Sequence, residues 1–176
     1  MKKLMILAAA ALLTVSCSDD DGDSTGNVSV NGTWNLTAFT TNEAADINND
    51  GTASTNFIAE SGCYGNSSIV FANENSAIFN LEELDIELDL VIGTEDSYEY
   101  SIDCIGAEPE VGMYTVSDNS VSVVFDYGDG ETETAIFARS GNTLTVTIPE
   151  LVDVPVEDNG DITYSFVGAT LVFTKQ

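Results

Sequence analysis

From Trp34 onward the chain places apolar residues at every second position in short runs, with turn-forming residues between the runs. Trp34, Leu36 and Ala38 alternate with Asn35 and Thr37, Ile69 and Phe71 share a face, and Val121, Val123, Phe125 and Tyr127 repeat the pattern further on. Tyr98, Tyr100, Ile102 and Cys104 form another set, as do Leu144, Val146 and Ile148. A period of two puts alternate side chains on opposite faces of an extended strand, so each run reads as a strand with one face to bury. Tight turns join most of them: Ser117-Asp118-Asn119, Gly128-Asp129-Gly130 and Ser140-Gly141-Asn142 carry residues that accept hairpin backbone geometry. Such a meander exposes two edges unless it closes on its first strand. The expected fold is therefore all-β, a single antiparallel meander β-barrel of about 8–10 strands closing on Gly32-Thr33-Trp34.

Three stretches qualify the pattern. A helix over residues 81–91 would group Leu81, Leu84, Leu88 and Val91 but leave Ile86 and Leu90 in water, whereas a strand buries Leu84, Ile86, Leu88 and Leu90 together; strand is the reading we adopt. The apolar positions change from odd to even at Glu82-Glu83, which predicts a bulge or turn there. Pro149 to Gly160 is acidic with two prolines and reads as a long loop or flap; beyond it Ile162, Tyr164 and Phe166 alternate until Gly168, after which Leu171 and Phe173 carry the odd face.

Ahead of the barrel, Lys2 and Lys3 precede an apolar run from Leu4 to Leu13. That run is too short to span a bilayer and has the layout of an export signal. Leu13-Thr14-Val15-Ser16-Cys17 resembles a lipobox, in which the Cys is acylated and the preceding residues are removed. The expected organisation is a lipoprotein signal peptide over 1–16, an acylated Cys17 with a flexible acidic tether over 17–29, and a barrel domain over 30–176. Acyl chains on Cys17 would make the membrane a partner without a transmembrane helix.

The formal net charge is −26, and once Lys2 and Lys3 leave with the signal only Arg139 and Lys175 face 30 acids. A field of that sign repels phosphate and excludes nucleic acid as a partner. Two cysteines, Cys63 and Cys104, remain in an exported chain. In an oxidising space they have one pairing available, and a disulfide is expected, worth about 4 kcal/mol by loop entropy.

Gly32-Thr33-Trp34 resembles the signature that opens lipocalin barrels. Cys63 before the second strand, Cys104 ahead of Gly112-Met113-Tyr114, and the terminal Leu171, Phe173 and Lys175 are similar, in that order, to the lipocalin-like lipoproteins of Bacteroidota. The resemblance covers most of residues 30–176. It implies a basic side chain, Lys175 or Arg139, packed on Trp34. The acidic run Asp19-Asp20-Asp21 after Cys17 is similar to the surface-export signal of such lipoproteins, which implies anchoring in the outer membrane, on the cell surface in preference to the periplasmic face.

Two stretches point to chemistry. Asp46-Ile47-Asn48-Asn49-Asp50-Gly51-Thr52 spaces Asp46, Asn48, Asp50 and Thr52 like the first half of an EF-hand calcium loop. Its twelfth position is Phe57, so the closing carboxylate must come from Glu60 or elsewhere; the rival reading is a metal-free Asn- and Asp-rich turn. Calcium is the one cofactor the pattern admits. Phe71, Tyr98, Tyr100, Phe125, Tyr127, Tyr164 and Phe166 are the aromatics expected to face the barrel interior, where they either line a site for one small apolar or amphipathic ligand or fill it. With no histidine in the chain, His-based triads and His metal sites are excluded, and a non-catalytic protein is expected. The alternative function is a calcium-stabilised structural or adhesive surface module with a filled barrel.

Overall fold

A computed structural model describes residues 29–48, 50–90, 92–93, 98–106, 108–128, 130–158 and 161–176. The signal segment, Cys17 and the acidic tether lie outside the described residues. In chain order the strands are β1 (Gly32–Ala45), β2 (Ser54–Asn56), β3 (Ser68–Phe71), β4 (Ser76–Asn80), β5 (Glu83–Leu90), β6 (Tyr98–Ile105), β7 (Glu110–Ser117), β8 (Ser120–Asp126), β9 (Thr132–Ser140), β10 (Thr143–Asp158) and β11 (Asp161–Lys175). One short helix, α1 (Phe57–Ser61), stands between β2 and β3, and a 3-10 turn covers Asn73–Asn75.

Eight of these strands form a closed antiparallel barrel in the order β1, β3, β4, β7, β8, β9, β10, β11, with β11 returning to β1. The seam is the strand of Trp34, which pairs with Ile69 on one side and Lys175 on the other. Closure leaves no sheet edge in the ring. The expected all-β meander barrel is thus the observed fold.

Three local expectations change. β5 and β6 are outside the ring: β4 pairs directly with β7, Ile78 against Val111, and the residues between them leave as a separate two-stranded ribbon. The exit lies at Leu81-Glu82, where the alternation slips. Pro149 to Gly160 is not a free loop, because β10 continues to Asp158 and stays paired with β11 as far as Asp158 opposite Asp161. Gly168 does not reset the inward face either: Val167, Ala169, Leu171 and Phe173 are all buried on the odd set. The irregularity sits on β10, between Ile148 opposite Ala169 and Val152 opposite Val167. Gly168 faces that bulge so closely that a Cβ on it would lie 2.5 Å from the Pro149 carbonyl oxygen.

The two ends of the barrel differ. At the end where β1 begins, Trp34 is fully buried, its Nε1 donates to the Val30 carbonyl at 2.8 Å, and its ring meets Phe71 edge-on with centroids 6.4 Å apart. The Tyr114 hydroxyl donates to Asn31 Oδ1 at 2.7 Å, and its ring stacks edge-on with Phe71 at 5.0 Å. Lys175 Nζ stands 5.7 Å from the Trp34 ring centroid and donates to the Ser29 carbonyl. Arg139, opposite Leu144, is near the same end on the last positions of β9. A continuous aromatic pack of Phe79, Phe125, Phe137 and Phe173 then fills the middle, with neighbouring centroids 4.9 to 6.1 Å apart. Side-chain packing of that kind closes a barrel of this strand number from within. β9 and β10 pair only at the plugged end, Ser140, Arg139 and Ala138 opposite Thr143, Leu144 and Thr145, and the barrel opens beyond them, toward the other end.

Candidate ligand-binding site

The open end carries a cavity of about 580 Å3, within the usual range for sites that bury a small ligand. Its floor is apolar. Phe39 on β1, Phe79 on β4 and Leu171 on β11 are all buried inside the ring and all face it. Phe39 reaches the interior because β1 has a register shift between Leu36 and Ala38, which moves the buried set from Trp34 and Leu36 to Phe39 and Thr41. One wall comes from the β10–β11 arm through Ile148, Leu151, Val152 and Tyr164.

The opposite wall comes from the ribbon that left the ring. In its register Leu84 lies opposite Cys104 and Ile86 opposite Ile102, while Asp85 lies opposite Asp103. Leu84 and Ile102 pack on the barrel core, and Leu84 and Ile86 line the cavity. Like charges directly opposite weaken a two-stranded pair, so the ribbon needs outside support. The Cys63–Cys104 disulfide supplies it, spanning 41 residues with Cα atoms 5.4 Å apart. Cys63 is presented by α1, which Asn56 caps by accepting the Ala59 N–H at 3.3 Å. Gly62 ends the helix with φ of 69°, a left-handed position where glycine avoids Cβ strain.

Tyr64, next to that bridge, forms the inner corner. Its ring packs on Phe39 at 4.9 Å and Phe57 at 5.7 Å. Burial first, and then the negative charges of Glu83 and Glu82, push its phenol up to about 12, against the opposing effect of a backbone hydrogen bond with Leu84. The group stays protonated in any physiological range and serves as a hydrogen-bonding hydroxyl. The Glu82 carboxylate is held at the rim by Asn66, whose Nδ2 and backbone N–H donate to its two oxygens at 2.8 and 3.2 Å.

Of the seven aromatics expected to line a site, five have described side chains, and among these only Tyr164 lines the cavity, half-exposed at the mouth. Phe71 and Phe125 face inward but belong to the packed interior. Tyr127 is 53% exposed, its hydroxyl donating to Glu133 at 3.2 Å, and Phe166 is 67% exposed, paired across the arm with Asp153. Phe166 lies outside because the interior of the arm is carried by Val152, Val154 and Val167 instead, and Tyr127 lies just past the end of β8. The side chains of Tyr98 and Tyr100 lie outside the described residues. Sequence reading missed Phe39, Tyr64 and Phe79.

Asp46, Asn48, Asp50 and Thr52 lie in the loop after β1, away from the cavity lining. Asp46 accepts the Asp50 and Gly51 N–H groups at 3.0 and 2.8 Å, Asn48 accepts Asp50 N–H at 2.9 Å, and Asp50 accepts Thr52 N–H at 2.8 Å. Phe57, at the twelfth position, is buried in the aromatic cluster, and buried Glu60 accepts the Ile47 N–H at 3.2 Å. Among the described residues no three Asp, Glu, Cys or His side chains converge as a metal-holding group.

Comparison with known families gives one match: the model for the lipocalin-like domain covers residues 30–146. The chain belongs to the lipocalin-like domain family. No curated protein and no solved structure matches it. The family match ends inside β10, so the closing strand of this lipocalin-like barrel, β11, is supplied by the residues that follow. The family match includes the ribbon β5–β6, whose Leu84 and Ile86 line the open end of this lipocalin-like barrel.

Proposed function

We propose that this protein is a lipid-anchored, non-catalytic binding protein that holds one small apolar or amphipathic molecule in the open mouth of its lipocalin-like barrel. The observation that carries the reading is the cavity itself. About 580 Å3 of space lies over a floor of Phe39, Phe79 and Leu171, and below it Phe79, Phe125, Phe137 and Phe173 pack together. Filling it would remove apolar surface from water at about 25 cal/mol per Å2. Isothermal titration of the purified protein with decanol tests this. Saturable one-to-one binding that is lost in Ile148→Trp is the expected result, and absence of saturable binding refutes the reading.

The lipoprotein part rests on the Leu4–Leu13 run and Cys17, and on the resemblance to lipoproteins of Bacteroidota. Acyl chains on Cys17 place the domain at the outer membrane, on the cell surface in preference to the periplasmic face. Labelling with an alkyne fatty acid should mark the wild type and not Cys17→Ser. Protease treatment of intact cells should then degrade the domain, and protection until the outer membrane is opened would assign it to the periplasm.

A second reading is a calcium-stabilised structural or adhesive module, favoured by the aromatic fill of the lower barrel and the hydrogen bonds that join Asp46, Asn48, Asp50 and Thr52. Native mass spectrometry with calcium separates the two: a bound ion without decanol binding supports the module, and decanol binding by a calcium-free mass supports the binding protein.

A further inference from the structure

Glu82, Glu83, Glu108, Glu110 and Asp153 all line the same mouth as the apolar floor, and no basic residue does. These are 5 of the 16 lining residues, against 30 acids in 176 for the whole chain. The mouth is therefore nearly twice as acidic as the protein at large, and general surface charge does not account for it. The only basic groups among the described residues, Arg139 and Lys175, are near the opposite, plugged end. Both basic groups thus stand away from the acidic mouth. A cleft of one sign with low-dielectric walls focuses that field and concentrates counter-charged solutes.

We propose, building on the binding reading above, that the ligand of this cavity is an amphipathic cation, with an apolar body on the Phe39–Phe79–Leu171 floor and an ammonium-type head among the five rim carboxylates. The vertical order of the lining decides the orientation. The buried residues are the apolar ones and four of the five acids are exposed, so the charge of a ligand stays at the hydrated rim and avoids the desolvation that an ion on the floor would suffer. An uncharged ligand leaves the carboxylates facing an apolar body, and an anionic one faces five like charges. At the inner corner the Tyr64 phenol is raised first by burial and then by the nearby Glu83 and Glu82; the second effect has the sign that favours an added positive charge.

The test titrates the purified protein with three ten-carbon probes of different charge, decyltrimethylammonium, decanol and decyl sulfate, each below its aggregation concentration. The cation should bind at least about tenfold more tightly than decanol, with decyl sulfate weakest, and 0.5 M salt should reduce the preference to about threefold or less through screening. Glu83→Gln combined with Glu110→Gln should weaken the cation by a larger factor than decanol, and an equal loss for both would overturn the charge preference. Leu151→Lys, a substitution at a partly exposed rim position, should weaken the cation and strengthen decyl sulfate without disturbing the core. Equal affinities for the cation and decanol, both lost in Ile148→Trp, would overturn the charge preference and leave the cavity reading intact. Cation binding that persists in Ile148→Trp and ignores Leu151→Lys would mean condensation on the acidic surface and would overturn the proposal. Failure of all three probes would remove both readings.

Discussion

Removing the Cys63–Cys104 bridge separates what holds the barrel from what holds its mouth. The bridge closes a loop of 41 residues, and the chain-entropy relation gives about 4 kcal/mol for that length. The loop contains two kinds of structure. β3 and β4 are ring members paired on both sides, whereas β5 and β6 pair only with each other. Because β4 pairs directly with β7, the ring closes without the ribbon, and the double variant Cys63→Ser/Cys104→Ser should still fold. Its urea midpoint should fall by about 1–2 M, taking about 2 kcal/mol per molar for a domain of this size. Affinity for decanol should fall as well, by about threefold or more, because Leu84 and Ile86 are no longer pinned against the cavity. Double substitution avoids a stray thiol that would dimerise the protein. An unchanged midpoint under non-reducing conditions would refute the bridge. A shifted midpoint with unchanged affinity would refute the ribbon as a wall of the site.

Three further outcomes are expected. Gly168→Ala must displace the Pro149 carbonyl, which a Cβ would approach to 2.5 Å; since the obstacle is backbone, a loss of about 2 kcal/mol follows, read as a thermal midpoint about 4–8 °C lower, and an unaltered midpoint would show that the arm yields freely. In an absorbance titration of tyrosinate, one phenol should ionise near 12 and vanish in Tyr64→Phe. The unfolded chain releases that proton near 10.0 and the folded chain near 12, so the contribution is present below the lower value and is lost as pH rises through the window, about 2–3 kcal/mol in all. Tyr64→Phe should flatten that part of the stability curve, and an unchanged curve would exclude the assignment. Lys175→Met removes both the contact on Trp34 and the bond to Ser29; about 1 kcal/mol should be lost together with a change in emission from the single tryptophan, and unaltered emission would place the lysine elsewhere in solution.

Fold class was legible because alternation is a strictly local signal, and a closed antiparallel barrel is the arrangement that satisfies many such strands at once. What alternation cannot carry is a change of phase inside a strand. β1 begins with Trp34 and Leu36 buried and continues with Phe39 and Thr41 buried, across a shift that hydrogen-bonding to β11 defines. Read as one uninterrupted strand, the pattern sends Ala38 inward and Phe39 outward, which hides a floor residue of the cavity. On β11 the error ran the other way. A break in alternation at Gly168 sends Tyr164 and Phe166 inside, whereas the irregularity belongs to the partner strand at Ile148 to Val152.

The site itself depends on which ribbon folds over which barrel end, and a period of two is indifferent to that choice. Two local signs nonetheless constrained it. The parity change at Glu82-Glu83 marks where the chain leaves the ring, since a strand cannot switch its buried face and keep its neighbours. Cys63 and Cys104, bridged as the sequence predicts, then bind the end of β6 to the residue before Tyr64. In the antiparallel ribbon Leu84 is opposite Cys104, so the covalent bond brings Leu84 to Tyr64. From those two facts one wall of the mouth follows, and with it the position of Glu82 and Glu83 at the rim. The acids there are thus a consequence of the exit point: the chain must cross the open end to start the ribbon, and it makes that crossing with carboxylates.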